Sequence, residues 1–317
     1  MAELRYERGE FVLVANANVS LTGALVDDPE LDLGFEEEGD VDAFGSLNVE
    51  WTSKSGVIVG AYASGDTADN RPDTLKNDRL YGYVASEWGR AEVGLTSGPA
   101  RRMSFYAPVL GSGQIRGDFA RYSGPPALLW PTDTRQSFKL AYFSPPLGGL
   151  RLGVSWAPEV DRGNAVHRNG FELGAQYERP VGEWVLGGSA AYVHGGAERP
   201  GLADIDSWSL GAQARRGKLT IGGAFVERGD SALFRDGFDQ SEVNAGVAWR
   251  EEKWGLALSA SRTSARGFDY DLVGLGGSYN IGRHVVLTAD VVAMRHDFEP
   301  AEPQSGVVLV GGVEFRI

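Results

Sequence analysis

Apolar and polar positions alternate with a period of two along most of the chain. In Phe171-Glu172-Leu173-Gly174-Ala175-Gln176-Tyr177 the apolar side chains fall on odd positions and the polar or tiny ones on even positions, as in a strand with one greasy and one wet face. Trp208 to Ala214, Val243 to Trp249, Trp254 to Ala260 and Val307 to Phe315 repeat the pattern. None of them shows the i, i+3, i+4, i+7 spacing of an amphipathic helix. The alternation predicts strands near 10–25, 42–52, 56–65, 78–88, 89–97, 135–144, 149–157, 168–179, 183–194, 205–215, 217–228, 239–250, 253–264, 269–281, 283–296 and 304–316, sixteen in all.

The connections between these strands alternate as well. Ser53-Lys54-Ser55-Gly56, Glu87-Trp88-Gly89-Arg90, Pro145-Pro146-Leu147-Gly148, Pro180-Val181-Gly182-Glu183, Arg215-Arg216-Gly217-Lys218, Arg250-Glu251-Glu252-Lys253 and Asn280-Ile281-Gly282-Arg283 are tight turns, with Gly and Pro supplying the turn dihedrals in most of them. The other connections are mostly longer, polar and acidic, such as 26–41, 65–77, 157–167, 195–204, 229–238 and 297–303, and one of them, 98–134, is much longer than the rest. A soluble sandwich has no reason to gather short turns at one end and long loops at the other, whereas a transmembrane barrel does. Closure also removes the free edges that sixteen meandering strands would otherwise present. The expected fold is therefore all-β: one domain over 1–317, a 16-stranded antiparallel transmembrane barrel. Trp51, Trp88, Trp156, Trp184, Trp249 and Trp254, with Tyr142, Tyr177, Tyr192 and Tyr279, fall toward strand ends, where interfacial aromatic girdles lie. Parity turns Lys139, Arg151, Glu50, Glu92, Glu172, Glu178, Glu242, Asp290 and Glu314 inward.

Composition narrows the picture. Glycine supplies 44 of 317 residues, about twice ordinary usage, without a Gly-X-Y period, which suits walls that another segment approaches closely. The longest purely apolar runs span a handful of residues, such as Val307 to Val310, so helical membrane spans are excluded. Thirty basic against 43 acidic residues give a net charge of −13, which argues against nucleic acid as a partner. The absence of cysteine removes thiol catalysis, disulfides and Cys-ligated metals. The opening Met1 to Arg8 has no apolar signal region, and we expect a mature chain whose signal was replaced by an initiator Met. Within the acidic stretch 27–42, Asp27, Asp28, Glu30 and Asp32 offer oxygens of the kind that hold Ca²⁺, although a solvated loop is the plainer reading. No other cofactor is expected, and His167, His194, His284 and His296 form no metal signature. The one suggestive enzymatic pair, His296-Asp297, points to opposite faces of its strand, which leaves an outer-membrane hydrolase the weakest alternative.

Three stretches carry a family resemblance. Leu80-Tyr81-Gly82-Tyr83-Val84-Ala85-Ser86-Glu87-Trp88-Gly89-Arg90-Ala91-Glu92-Val93-Gly94-Leu95-Thr96-Ser97-Gly98-Pro99-Ala100 resembles the strand, aromatic-Gly-Arg turn and strand that lead into the third loop of Gram-negative general porins of the alphaproteobacterial type. Ser137 to Pro145 resembles the strand that follows that loop. The end of the chain, with Gly312, Phe315 and Ile317, resembles the barrel assembly signal, with Ile standing where Phe or Trp is usual. The resemblance implies an outer-membrane homotrimer among lipid and lipopolysaccharide, with short periplasmic turns and long extracellular loops. It also implies a water-filled, non-enzymatic channel for ions and small hydrophilic solutes. Residues 98–134 would then fold into the lumen, with Arg101, Arg102, Arg116, Asp118 and Arg121 on the loop and Lys139, Arg151, Glu50 and Glu92 on the wall forming the constriction. Net negative charge predicts a weak cation preference at the mouth, and arginines left without acidic partners would reverse it. A sugar-selective or anion- and phosphate-selective channel is the main alternative.

Overall fold

The computed structural model describes residues 3–27, 39–67, 76–121, 126–161, 165–232, 237–298 and 302–316. Its strands are β1 (Leu4–Arg8), β2 (Phe11–Asp27), β3 (Asp40–Thr52), β4 (Ile58–Asp66), β5 (Lys76–Ser86), β6 (Gly89–Leu95), β7 (Phe138–Phe143), β8 (Leu150–Asp161), β9 (Val166–Val181), β10 (Trp184–Ala197), β11 (Ile205–Arg216), β12 (Leu219–Gly229), β13 (Gln240–Arg250), β14 (Trp254–Ala265), β15 (Phe268–Ile281), β16 (Val285–Phe298) and β17 (Gln304–Arg316). From β2 onward each strand pairs antiparallel with the next, and β17 pairs back onto β2, closing a ring of sixteen. The expected barrel is thus present.

One strand lies outside the expectation. β2 is 17 residues long, and β17 covers only its second half, from Arg316 opposite Asn18 to Val307 opposite Asp27. Its first half is covered by β1, with Leu4 opposite Ala15 and Arg8 opposite Phe11. Both β17 and β1 run antiparallel to β2, so β1 prolongs the line of β17 in the same direction. Sequence periodicity missed β1 because Leu4-Arg5-Tyr6-Glu7-Arg8 is short, charged and exposed throughout. Two connections at the long-loop end depart from the expected sorting by length: β8–β9 has four residues between its strands, fewer than β7–β8 at the other end, and β14–β15 is the two-residue turn Arg266-Gly267, with Gly267 at φ +73°.

Alternation sets the two faces of the wall. Leu173, Leu210, Ala245, Leu256 and Leu309 project outward; Leu210 is 54% exposed while its neighbour Ser209 is 2% exposed. Aromatic residues gather near both ends of the outer face. Phe11 pairs with Trp51 and Trp254 with Tyr279 at the short-turn end. Tyr192 pairs with Trp208 toward the other end, and the Trp208 and Phe225 ring centroids lie 5.3 Å apart. The alternation fails on β15 to β17, where Leu272, Val292, Met294, Val308 and Val310 are buried on the inner face against Ile115, Phe119 and Leu129 of the long connection. Val307 to Val310 is apolar throughout because its outer side meets lipid and its inner side meets this packed segment.

The outer face allows a direct test. Leu210→Arg should cost roughly 2–4 kcal/mol in a bilayer, whereas arginine at inward-facing Gln213 should be nearly silent. Urea unfolding of the refolded barrel in lipid measures both, and equal costs at the two sites would contradict the assigned faces.

Candidate pore constriction

The connection from β6 to β7 folds into the lumen and runs along the inner wall. It opens with a short helix, α1 (Pro99–Arg102), which has proline in its first turn. The wall makes room for it with glycine. A β-carbon at Gly153 would come 2.6 Å from the Met103 sulfur, and one at Gly174 2.8 Å from Pro99. The same construction meets Phe105 from Gly187 and Gly211, the Tyr106 carbonyl from Gly222, Pro108 from Gly246, Leu110 from Gly255, and Gln114 from Gly274 and Gly276. Every strand from β8 to β15 contributes at least one of these glycines, and from β10 onward the loop residues follow them in chain order. Close approach of the loop to the wall, through its side chains and at Phe105 and Tyr106 its carbonyls, rather than turn conformation, accounts for this share of the glycines.

Irregular chain carries N–H groups with no ladder partner, and those groups must be satisfied. Inward carboxylates do so here. Glu172 accepts from the Ala100 amide (2.9 Å) and from the Thr134 amide (2.8 Å), tying together the two ends of the loop. Asp290 accepts from Gln114 N (2.9 Å) and Glu242 from Leu128 N (2.8 Å). Ser189 and Asn244 accept from Phe105 N and Ala107 N. On the return arm, Arg228 donates to the carbonyls of Leu128 and Trp130. Acidic residues that parity turned toward the lumen therefore serve in part as a seat for the loop.

The inward face of β3 to β6 stays open beside the loop and carries a polar cluster. Glu92, buried, accepts from Arg90 Nε (2.6 Å), Arg102 Nη1 (2.7 Å) and Thr96 Oγ1 (3.0 Å). The Arg90 guanidinium lies 3.6 Å from the Tyr83 ring centroid, and Arg102 lies 4.0 Å from that of Phe143. The Tyr83 hydroxyl donates to Glu50 Oε1 (2.5 Å), which also accepts from Asn48 Nδ2 (2.8 Å). Tyr62, Tyr81 and Tyr83 form a ladder of rings 5.3 Å and 6.1 Å apart. Two arginines and two carboxylates balance one another on this side.

The loop's own arginines are held differently. Arg101 and Arg116 sit 4.8 Å and 4.4 Å from the Trp130 ring centroid, and among the described residues neither has a carboxylate partner. Cation–π contact orients a guanidinium without neutralising it. Burial pulls the Arg116 guanidinium down from its ordinary value; Tyr106 opposes that fall and Arg101 adds to it.

Of the residues singled out from sequence, the structure brings Arg101, Arg102, Arg116, Glu50 and Glu92 to the lumen. It places two others elsewhere. Lys139 faces inward but is 0% exposed, donating to Thr134 Oγ1 (2.5 Å) and the Arg135 carbonyl (2.7 Å) and lying 3.8 Å from Glu172, so it fastens the loop's exit and does not line the channel. Arg151 is exposed near the short-turn end of β8, with no ion pair to the loop or the Glu92 cluster among the described residues. The side chains of Asp118, Arg121 and Asp27, and residues Asp28, Glu30, Asp32 and Ile317, lie outside the described residues. Gly312 and Phe315 lie on β17, with Phe315 turned outward. Sequence reasoning missed Trp130, Arg135 and the tyrosine ladder. Trp130 and Arg135 belong to an aperiodic loop, but the shared parity of Arg90 and Glu92 was readable.

This architecture matches known proteins. The family model of the Gram-negative porins matches residues 12–298, and the chain belongs to that family. The anion-selective porin from Comamonas acidovorans superposes with a TM-score of 0.69 at 13% identity, covering 97% of this chain and 100% of that one. OmpT of Vibrio cholerae lacking its loop L8 gives 0.65 at 11% identity, covering 98% and 100%. A multiply substituted porin of Rh. blastica gives 0.64 at 16%, covering 96% and 100%. A search of curated protein sequences finds no match. The chain forms an outer-membrane channel for passive diffusion.

The glycine seat predicts how the channel responds to crowding. A side chain at Gly211 would strike the Phe105 carbonyl, whereas outward-facing Gly188 has open space around it. Gly211→Val should displace the loop and change single-channel conductance while the barrel still assembles, and Gly188→Val should change neither. Identical conductance for both variants would show that the loop does not depend on this contact.

Proposed function

We propose that this channel passes small hydrophilic solutes without catalysis and prefers anions at its narrowest part. The observation that carries the proposal is the pair Arg101 and Arg116 held on Trp130, with no carboxylate among the described residues to cancel them. Glu92 is paired with Arg90 and Arg102 on one side of the lumen, and Glu50 there is held by the Tyr83 hydroxyl and Asn48, so the two carboxylates and two arginines of that cluster sum to no net charge and Arg101 and Arg116 stand in addition to them. The cation preference expected from net charge rests on acidic groups spread over the whole chain. Their field fades within about 8 Å at physiological salt, while charges in a narrow, low-dielectric passage act at full strength on each ion. The Comamonas acidovorans porin is described as anion-selective; the reading here stands on this chain's own arginines. A reversal potential across a tenfold KCl gradient should carry the anion-selective sign, and Arg101→Gln with Arg116→Gln should move it toward the cation side. A cation-selective wild-type channel would refute the proposal.

We also propose a homotrimer set among outer-membrane lipid and lipopolysaccharide. Gly23, Gly311, Ala289 and Gly277 stand opposite one another across β2, β17, β16 and β15, and all four face outward. They form a shallow band on which another wall could lie close. A detergent-purified particle should have the protein mass of three 34.0 kDa chains; the mass of one would refute the trimer.

A further inference from the structure

Between the outgoing and returning arms of the lumenal loop lies a cleft of about 410 Å³. Its lining divides chemically. Arg101, Arg116, Arg135 and Arg228 supply cationic groups, and Asp133 is the one carboxylate among its lining residues. That carboxylate accepts from the backbone N–H of Arg135 at 3.2 Å. Pro126, Ala127, Leu128 and Pro131 supply an apolar wall, with Trp130 between the two kinds of surface.

The guanidinium groups are set for a ligand. The guanidinium carbons of Arg101 and Arg116 lie 4.8 Å and 4.4 Å from the Trp130 ring centroid, and the planar N–H fork of a guanidinium matches the two oxygens of a carboxylate. Arg228 is committed to loop carbonyls; it stiffens the return arm and adds charge from behind. A bare inorganic ion would use the arginines and leave the proline and leucine wall without a partner. A compact dianion would satisfy more charge and still leave that wall in contact with water. A flat apolar body bearing one carboxylate uses both surfaces, and the space is ample for a single ring.

We propose that this cleft is a binding subsite for aromatic monocarboxylates, with the carboxylate on Arg101 and Arg116 and the ring against Leu128 and the flanking prolines. The proposal rests on the reading that these arginines stand uncancelled in the passage. It adds that passage of such anions is saturable, since each must occupy a site before it leaves.

Single channels in symmetric KCl, titrated separately with sodium benzoate, acetate and succinate, test the idea. Benzoate should reduce the ion current saturably, with a half-blocking concentration about tenfold below that of acetate because only benzoate gains the apolar contact. Succinate should block no better than acetate. Arg116→Gln should abolish the benzoate effect, and Arg116→Lys, which keeps the charge but loses the planar fork, should weaken it. If neither position-116 variant inserts, Arg101→Gln serves the same purpose. Equal potency of benzoate and acetate, stronger block by succinate, or benzoate block that survives the arginine substitutions would each overturn the subsite. The KCl reversal potential of the same channels reads anion preference independently, so an anion-selective channel without benzoate block overturns the subsite and leaves that preference standing.

Discussion

Hydrocarbon offers no hydrogen bonds, and that constraint governs this molecule. Every N–H and C=O within the membrane must find a partner in the chain, so strands are admissible only if the sheet has no free edge at that depth. Here closure falls to β2, whose one edge must be covered along 17 residues. Neither β17 nor β1 suffices alone; together they cover it from Phe11 to Asp27, save a short gap between their ladders. With the ring closed, side-chain direction is settled by parity, and the two faces of the wall can be given opposite solvents.

A sixteen-stranded ring encloses more space than its own side chains fill, and the long connection between β6 and β7 occupies part of it. That segment is irregular, so its amides need acceptors, and the wall supplies Glu172, Glu242, Asp290, Ser189 and Asn244 at positions set by strand register. It also needs room, which the wall provides by leaving out β-carbons along eight consecutive strands. The two arginines are placed by how the two arms meet: Trp130 from the return arm stands against Arg101 and Arg116 from the outgoing arm. An aromatic ring is a holder that keeps a cation charged, and a carboxylate in its place would have cancelled one of the two charges.

Much of this was legible in the sequence. Period-two alternation and the sorting of short and long connections located sixteen strands, because lipid on one side and water on the other impose the pattern residue by residue. β1 escaped because a short charged strand beyond the apolar band carries no such contrast. The inward valines of β17 contradicted alternation for a reason found only in tertiary packing, the loop lying against them. Lys139 shows the limit most clearly: parity gave its direction correctly, yet whether an inward lysine meets water or a folded loop depends on contacts between segments far apart in sequence. The abundance of glycine was plain from the outset, but its purpose needed the register that lines Gly153 to Gly276 up beneath residues 99 to 114.

The seat of the loop has a consequence for the order of assembly. The groove that receives residues 99 to 114 is made by β8 to β15, all of which follow the loop in the chain. Its receiving surface does not exist until those strands have zipped together, so the segment cannot be locked in as it emerges. Full docking of a segment from the first half of the polypeptide therefore depends on strands from the second half, and the narrowing of the lumen is coupled to pairing across the whole chain.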